Sequence, residues 1–335
     1  YRKTPEVLFK DELNRPLVYR PVGSRLGGVY VPGSTIKPLV LAAAISDQKL
    51  SLSQTIMCNG YLDEGHPDRY RCWIYKHFDS THGPLLGEEA LMRSCNIFFY
   101  TLGRRLGALQ LVRWYDRFGL GQLTGCNFPG EVAGELPDLA AAMTDSHTAG
   151  FAPHDAIFMA IGQGPVRWTP LQAASTYATL IRGGQVIPPT FVYRQDLESS
   201  TTDLSLDPRA VAMVLDGLDK VVNEAGGTGY RIRVQESPAQ YEPTFNIDTG
   251  KVYGKSGTAA AVPLWIDEND NGKKDKGETK RRGDHSWFIG FIQKSGSLKP
   301  SYVVAVVVEF GGSGGAVAGP IANQIFHALE AEGYL

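Results

Sequence analysis

The chain has 335 residues, of which 43% are hydrophobic, so it is long enough to bury a core in one large domain or two lobes. Its 33 basic and 35 acidic residues give a formal net charge of −2 with no basic face, which argues against nucleic acid as a partner. No stretch reaches the roughly 18 apolar residues of a membrane span, and we expect any leader or membrane anchor to lie outside this chain, which begins at Tyr1.

Apolar residues at helical spacing make the middle of the chain rich in predicted helix. The Ala- and Leu-rich run that follows Ser34 predicts a buried helix, with Pro38 tolerated in its first turn. Thr169 before Pro170 is a typical helix start, with a capping residue followed by proline at the first helical position. The predicted helices are 35–47, 85–107 with an interruption at 93–96, 108–118, 170–180, 208–222 and 320–332.

Strand patterns appear late in the chain, at 252–261, 286–293 and 302–310. The runs are rich in β-branched and aromatic residues and are separated by short polar connections. Helices followed by a group of strands predict an antiparallel sheet packed against helices, which is an α+β fold.

Four cysteines restrict the redox and metal chemistry. Cys58 and Cys72 bracket a loop rich in Gly, Asp, His and Pro, which favours a disulfide and an oxidising compartment. Cys95 and Cys126 are predicted to be small buried thiols. The alternative is a zinc site formed by Cys58, His66, Cys72, His77 and His82, although none of these spacings has the tight Cys-x-x-Cys form.

Ser34 and Lys37 stand three residues apart at the start of the first predicted helix, so the lysine can approach the serine hydroxyl. A lysine acts as a base when burial or a neighbouring cation such as Lys255 lowers its pKa toward neutrality. A second Ser-x-x-Lys pattern, from Ser46 to Lys49, falls at the polar end of the same helix and is predicted to be a solvated C-terminus.

The sequence Lys-Ser-Gly-Thr at 255–258 enters a predicted strand. Gly257 allows a ligand backbone to lie close, while the hydroxyls of Ser256 and Thr258 and the ammonium of Lys255 offer a carboxylate site. Another Lys-Ser-Gly, beginning at Lys294, lies between two predicted strands and is typical of a hairpin tip.

Together with Ser94-Cys95-Asn96, these motifs occur in the order found in the transpeptidase domain of high-molecular-mass penicillin-binding proteins, which the chain resembles over nearly its whole length. Further similar segments are 30–38, 160–164, 169–172, 227–228 and 284–291. The resemblance implies one transpeptidase domain over 1–335, with a five-stranded antiparallel sheet covered by helices. A helical lobe, roughly 45–180, would be inserted into the sheet lobe, and the active site would lie in the cleft between them.

The resemblance also implies the chemistry of a peptidoglycan D,D-transpeptidase, a cell-wall enzyme concerned with cell shape. Ser34 would attack the penultimate D-alanine carbonyl of a D-Ala-D-Ala donor, and Lys37 would take its proton. Backbone N–H groups of Ser34 and Thr258 would form the oxyanion hole. The implied catalytic residues are Ser34, Lys37, Ser94, Asn96 and Lys255, and the implied substrate-binding residues are Ser256, Gly257 and Thr258.

An amine from a second stem peptide would resolve the acyl-enzyme, β-lactams would acylate the same serine, and catalysis would need no cofactor. Such enzymes work with glycan-polymerising machinery on the periplasmic, outer face of the cytoplasmic membrane. Two alternatives share the nucleophile and the lysine: a serine β-lactamase and a β-lactam-sensing binding domain.

An insertion at 263–283 departs from the family pattern and contains a run typical of a twelve-residue calcium loop. Gly272 stands where that loop needs its sharp turn. The predicted ligands are Asp267, Asn269, Asn271, the Lys273 carbonyl, Asp275 and Glu278. The alternative is a solvated hairpin tip, which the many lysines and arginines of the insertion also fit.

Overall fold

The structure is a computed structural model that describes residues 28–126, 128–138, 151–152, 154–191, 201–234, 237, 239–266, 275–277 and 280–335. Its helices are α1 (Lys37–Ser46), α2 (Trp73–Phe78), α3 (Gly87–Met92), α4 (Asn96–Leu106), α5 (Ala108–Arg117), α6 (Asp155–Met159), α7 (Pro170–Ile181), α8 (Pro208–Asn223) and α9 (Gly319–Ala331). A 3-10 turn, Gly33–Ile36, leads into α1, and a π-helical turn, Gly314–Ala318, leads into α9. Within the described residues, no helix combines the length and apolar character that a bilayer crossing requires.

The strands are β1 (Ile56–Cys58), β2 (Gly83–Leu85), β3 (Gln185–Val186), β4 (Thr202–Asp203), β5 (Arg231–Arg233), β6 (Tyr241–Pro243), β7 (Gly250–Ala260), β8 (Leu264–Trp265), β9 (Lys280–Arg281), β10 (Asp284–Lys294) and β11 (Tyr302–Val308). Three of them form one antiparallel sheet in the order β11-β10-β7, and the others pair as β1-β2, β3-β4, β5-β6 and β8-β9. The α+β class is confirmed. The described part of the main sheet has three strands, so the fivefold count stays a prediction.

Strand β10 is the centre of the main sheet and pairs with β7 along its whole length, from Asp284 opposite Ala260 to Lys294 opposite Gly250. Residues 286–292 are all buried, because neighbouring strands cover both edges and other elements pack on both faces. Strand β7, which carries the Lys-Ser-Gly-Thr sequence, is therefore fixed to the most buried strand that the structure describes.

Helix α1 lies in the middle of the core, with every residue from Lys37 to Ile45 buried. A helix that is apolar on all sides must be surrounded by other elements. It packs against α3, α4, α5 and α8, and its three consecutive alanines, 42–44, allow close approach. The serine that precedes α1 is thus attached to a helix that is buried on all sides.

Several local predictions are confirmed. The helical pattern over 85–107 is broken where expected, since α3 ends at Met92 and α4 begins at Asn96. Thr169 Oγ1 accepts a hydrogen bond from the Gln172 N–H at 3.1 Å, and Gln172 Oε1 accepts one from the Thr169 N–H at 2.9 Å. This reciprocal pair fixes the start of α7.

Candidate active site

Ser34 lies in the 3-10 turn ahead of α1, half-buried at the floor of a cleft. Close contacts with the backbone of two other segments hold this turn in place. The Gly33 N–H donates to the Gly162 carbonyl at 2.9 Å, and a Cβ on Gly33 would lie only 2.7 Å from the Thr258 carbonyl oxygen. Gly33 also has φ of +57°, which disfavours any other residue. Glycine at this position therefore brings the nucleophile turn against both segment 160–164 and strand β7.

Lys37 is completely buried one helical turn after Ser34. Its Nζ donates to the Ser94 carbonyl oxygen at 2.8 Å, to Asn96 Oδ1 at 2.9 Å and to Ser94 Oγ at 3.2 Å. Burial lowers the pKa of Lys37 from 10.5 to about 8, while the thiols of Cys72 and Cys95 oppose the shift. A neutral amine is accordingly accessible near physiological pH, as a general base requires.

The connection between α3 and α4 places the Ser94 and Asn96 oxygens within hydrogen-bond distance of Lys37. Ser94 adopts φ of +51°, a conformation that non-glycine residues rarely hold. Its N–H donates to the Leu91 carbonyl at 3.1 Å, and Asn96 follows as the first residue of α4. A strained residue of this kind persists where its surroundings determine it, and such positions cluster at functional sites.

The opposite side of the cleft is strand β7. Lys255 is completely buried, and its Nζ donates to the Ser256 carbonyl at 2.9 Å. Burial lowers the pKa of Lys255 well below its ordinary value, and the positive charge of Lys37 acts in the same direction. Ser256 Oγ donates to Thr228 Oγ1 at 2.7 Å, which links the strand to the segment 227–228.

Two glycines allow β7 to lie against its neighbours. A Cβ on Gly257 would come within 2.8 Å of Thr35 Cγ2, next to the nucleophile. A Cβ on Gly314 would come within 2.3 Å of the Gly257 carbonyl oxygen. The Gly314 N–H donates to Thr258 Oγ1 at 3.4 Å, so the glycine-rich segment 311–315 covers the end of the motif.

These elements enclose a cleft of about 720 Å³. Lys37 and Lys255 lie behind its surface, whereas the remaining six predicted residues, Ser34, Ser94, Asn96, Ser256, Gly257 and Thr258, all line it. The structure thus brings all eight predicted catalytic and substrate-binding residues together. Sequence reasoning did not assign a cleft role to the wall residues Arg71, Trp73, Lys76, His77 and Phe78 or to the segment 312–315. The run of four glycines around Ser313 was a usable signal for close backbone approach.

The two similar patterns elsewhere in the chain do not reach the cleft. Ser46 ends α1, and its hydroxyl accepts a hydrogen bond from the Asp207 N–H at 3.1 Å. Lys49 is exposed. Lys294 is exposed at the end of β10, before the turn that leads toward β11, as the hairpin interpretation predicts.

A cluster of three thiols and one imidazole lies beside the Ser94 turn. The ligand atoms of Cys58, Cys72, His82 and Cys95 all lie within 4.8 Å of one another. All four cysteines of the chain are free, so the predicted Cys58–Cys72 disulfide is wrong for this structure. The two thiols face a third thiol and a ring nitrogen instead of closing on each other. The zinc alternative named the wrong set, because His66 and His77 are not in the cluster and Cys95 is.

The cluster fits zinc. With Zn–S and Zn–N bonds of about 2.3 and 2.05 Å, a tetrahedral site separates two sulfurs by roughly 3.8 Å and a sulfur from a nitrogen by roughly 3.6 Å. The Cys72 and Cys95 sulfurs are 3.9 Å apart, and His82 Nδ1 lies 3.6 Å from Cys58 Sγ and 3.5 Å from Cys72 Sγ. A hydrogen bond from Cys58 is the main cause that lowers the pKa of Cys72, which favours its thiolate form, whereas burial raises the pKa of Cys95, whose proton a bound metal would displace.

The predicted calcium loop lies almost entirely outside the described residues. Of its six ligand positions only Asp275 is described, half-buried ahead of a turn at 276–277. Short strands β8 and β9 pair antiparallel on either side of the loop. The calcium site therefore stays a prediction.

Comparisons with known proteins agree on one family. A family model described as the penicillin-binding protein transpeptidase domain matches residues 10–327. The peptidoglycan D,D-transpeptidase MrdA of Haemophilus influenzae is 29% identical over 327 residues, covering 94% of this chain and 46% of that protein. Stage V sporulation protein D of Bacillus subtilis is 30% identical over 307 residues, covering 88% of this chain and 41% of that protein. The chain spans about half the length of the curated relatives it matches.

Solved structures share the fold. Pseudomonas aeruginosa PBP2 in complex with WCK 5153 matches with a TM-score of 0.71 and 28% identity, covering 95% of this chain and 64% of that one. A complex between PBP2 and MreC from Helicobacter pylori matches with a TM-score of 0.72 and 22% identity, covering 97% of this chain and 53% of that one.

Proposed function

The chain belongs to the penicillin-binding protein transpeptidase family, and from this premise we propose that it is a peptidoglycan D,D-transpeptidase that works through a Ser34 acyl-enzyme. The observation that carries the proposal is the buried Lys37 ammonium, which lies one turn from Ser34 and is held by Ser94 and Asn96. A lysine with its pKa lowered to about 8 beside a cleft serine is suited to activating that serine.

In the proposed acylation, neutral Lys37 takes the Ser34 proton as Oγ attacks the carbonyl carbon of the penultimate D-alanine. Backbone N–H groups of Ser34 and Thr258 stabilise the resulting oxyanion. Ser94 gives its hydroxyl proton to the amide nitrogen and receives the proton held by Lys37 in exchange, so that Lys37 is neutral again; the C–N bond breaks, and D-alanine leaves as an amine. The hydroxyls of Ser256 and Thr258 hold the terminal carboxylate, with Lys255 behind them.

The acyl-enzyme then reacts with an amine from a second stem peptide, which forms the cross-link and returns Ser34 to its hydroxyl form. A β-lactam acylates the same serine and leaves a slowly hydrolysed ester. Because peptidoglycan lies outside the cytoplasmic membrane, we place this activity at the periplasmic face, beside glycan-polymerising partners. A Helicobacter pylori protein of the same fold forms a complex with MreC, which makes a protein of that kind one partner to test.

Mass spectrometry of the purified chain after incubation with penicillin tests the nucleophile. We expect one adduct on the peptide that contains Ser34 and no adduct in the Ser34→Ala variant. Release of D-alanine from a stem-peptide mimic then separates an enzyme from a β-lactam sensor. Labelling without any release would assign the sensor function, rapid loss of the adduct would assign a β-lactamase, and labelling of Ser34→Ala would reject all three.

We also propose that Cys58, Cys72, His82 and Cys95 hold zinc. A bound ion would supply a structural cross-link between the 58–82 segment and the start of α4, and this chain's residues would carry out every step at Ser34 without it. Metal analysis should find about one zinc per chain, and a chelator should lower the melting temperature. Cys126→Ser is the matched control, because that thiol lies outside the cluster. The site would be rejected if the purified chain contained no zinc and if neither added zinc nor a chelator changed its melting temperature.

The calcium loop at 267–278 is proposed on its sequence alone. A calcium titration monitored by melting temperature tests it, with Asp267→Asn/Glu278→Gln as the paired variant. An increase in the wild type that the variant lacks supports the site. No shift at millimolar calcium assigns the segment to a solvated hairpin tip.

A further inference from the structure

One wall of the cleft carries positive charge that the mechanism at Ser34 does not use. Arg71, Lys76 and His77 line the cleft from helix α2 and the residue just ahead of Cys72. All three side chains are exposed, and none of them forms an ion pair or a hydrogen bond within the described residues. We call this surface, with Trp73 and Phe78, the α2 wall.

Several cations elsewhere in the described residues pair with nearby carboxylates. Arg104 lies 2.6 Å from Asp63, and Lys251 lies 2.6 Å from Asp219. Among the described residues that line the cleft, Asp284 is the single carboxylate, and it lies at the start of β10 opposite the end of β7. A cleft concentrates the field of its charges, so the α2 side attracts an anionic ligand.

The α2 wall has a fixed relation to the reacting groups. Trp73 Nε1 donates to the Arg93 carbonyl at 3.0 Å, directly before Ser94. Cys72, which precedes α2, joins the thiol cluster with Cys95, directly after Ser94. Two independent contacts therefore attach the wall to the Ser94 turn, across the cleft from the hydroxyls of β7.

The wall also has the surface that a peptide needs. Phe78 is 70% exposed although it is a large apolar residue, and Trp73 lies beside it with ring centroids 6.2 Å apart. Aromatic faces next to an arginine and a lysine suit a chain that has both methylene groups and a carboxylate. An exposed apolar patch with a polar surround is typical of a binding surface.

We propose that Arg71 and Lys76, with His77 beside them, bind a carboxylate of the stem peptide other than its terminal one. The inference rests on the proposed function, and it names the substrate class as stem peptides whose internal carboxylate is free rather than amidated. Arginine provides a planar pair of donors for this group, and lysine adds a second charge. These residues act in specificity and take no part in the acylation chemistry.

Competition with fluorescent penicillin for Ser34 tests this without requiring turnover. The competitors are peptide pairs with the same D-Ala-D-Ala end that differ only in one internal carboxylate, free or amidated. In the wild type we expect the free form to compete about tenfold better, the usual effect of a charge-assisted hydrogen bond. In Arg71→Gln/Lys76→Gln the preference should disappear, while the amidated peptide and penicillin itself react as in the wild type.

The matched control is Lys49→Gln/Lys294→Gln, which removes the same charge from two exposed lysines outside the cleft. It should keep the preference. Equal competition by both peptides of every pair in the wild type would overturn the subsite, as would a preference that Arg71→Gln/Lys76→Gln retains. If the variant folds poorly, the preference of the wild type for the free over the amidated peptide is measured at low and at high salt instead. A charged subsite predicts that this preference decreases as the salt concentration rises. Absence of D-alanine release alone would reject the enzyme and leave this binding result standing.

Discussion

Raising the pH should accelerate acylation of Ser34 because Lys37 must lose its proton to act as a base. With a pKa lowered from 10.5 to about 8, roughly one tenth of Lys37 is neutral at pH 7 and roughly nine tenths at pH 9. The second-order rate of penicillin acylation should therefore increase about tenfold over this interval and then level off. A lysine at its ordinary pKa would still be gaining rate at pH 10.

The same shift predicts how stability depends on pH. The unfolded chain binds the Lys37 proton up to pH 10.5, whereas the folded chain releases it near pH 8, so stability rises with pH between these values. For this one group the free energy of unfolding rises by about 2 to 3 kcal/mol from pH 7 to pH 10. The buried Lys255 has a shift of the same sign, so the Lys37 contribution is measured as a difference from the Lys37→Met variant.

Stopped-flow labelling with fluorescent penicillin from pH 6 to pH 10 gives the rate profile, and chemical denaturation at pH 7 and pH 10 gives the stability difference. Lys49→Met is the matched control, since it removes an exposed lysine just beyond the same helix. The assignment of Lys37 as the base would be refuted if the acylation rate did not change with pH. It would also be refuted if the rate had its midpoint close to pH 10.5 and the Lys37→Met variant showed the same change in the free energy of unfolding with pH as the wild type.

Three other changes should give distinct results. Gly257→Ala should lower the acylation rate at least tenfold, because the new Cβ lies 2.8 Å from Thr35 Cγ2 beside the nucleophile; Gly65→Ala, which meets no atom within 4 Å, should not change that rate. Thr169→Ala should reduce the free energy of unfolding by about 1 kcal/mol through loss of the α7 cap, with penicillin labelling of folded protein unchanged. Zinc removal by a chelator should lower the melting temperature of the wild type and not that of Cys95→Ser, whose own melting temperature should already be lower.

The sequence predicted the elements whose signals are local. Thr169 and Pro170 define a helix start by their own chemistry, and the break before Asn96 follows from a pattern that spans a few residues. Helix α2 escaped prediction because its six residues are too short for a periodicity, and a tertiary contact from Trp73 to Arg93 anchors it. The sheet order also depends on pairings across distant parts of the chain.

In the site, too, the sequence predicted what depends on local motifs and missed what depends on contacts between distant segments. Motif order located the eight residues around the cleft, since each motif has a recognisable local sequence. The thiol cluster did not have one: Cys95 belongs to the Ser94 turn, while Cys58, Cys72 and His82 belong to a separate loop. Only the folded chain brings these segments together. Sequence spacing alone therefore favoured a disulfide between Cys58 and Cys72, which are close in the chain.

The three hydrogen bonds of Lys37 have a mechanical consequence. They join α1 to the start of α4, across more than 55 positions of sequence, through a single ammonium that has no room to move. Moving α1 away from α4 would break all three bonds and leave a buried ammonium unpaired, so Ser34 and Ser94 are held at a constant separation. Any adjustment to a larger ligand therefore falls on parts of the cleft that Lys37 does not hold, such as the glycine-rich segment 311–315.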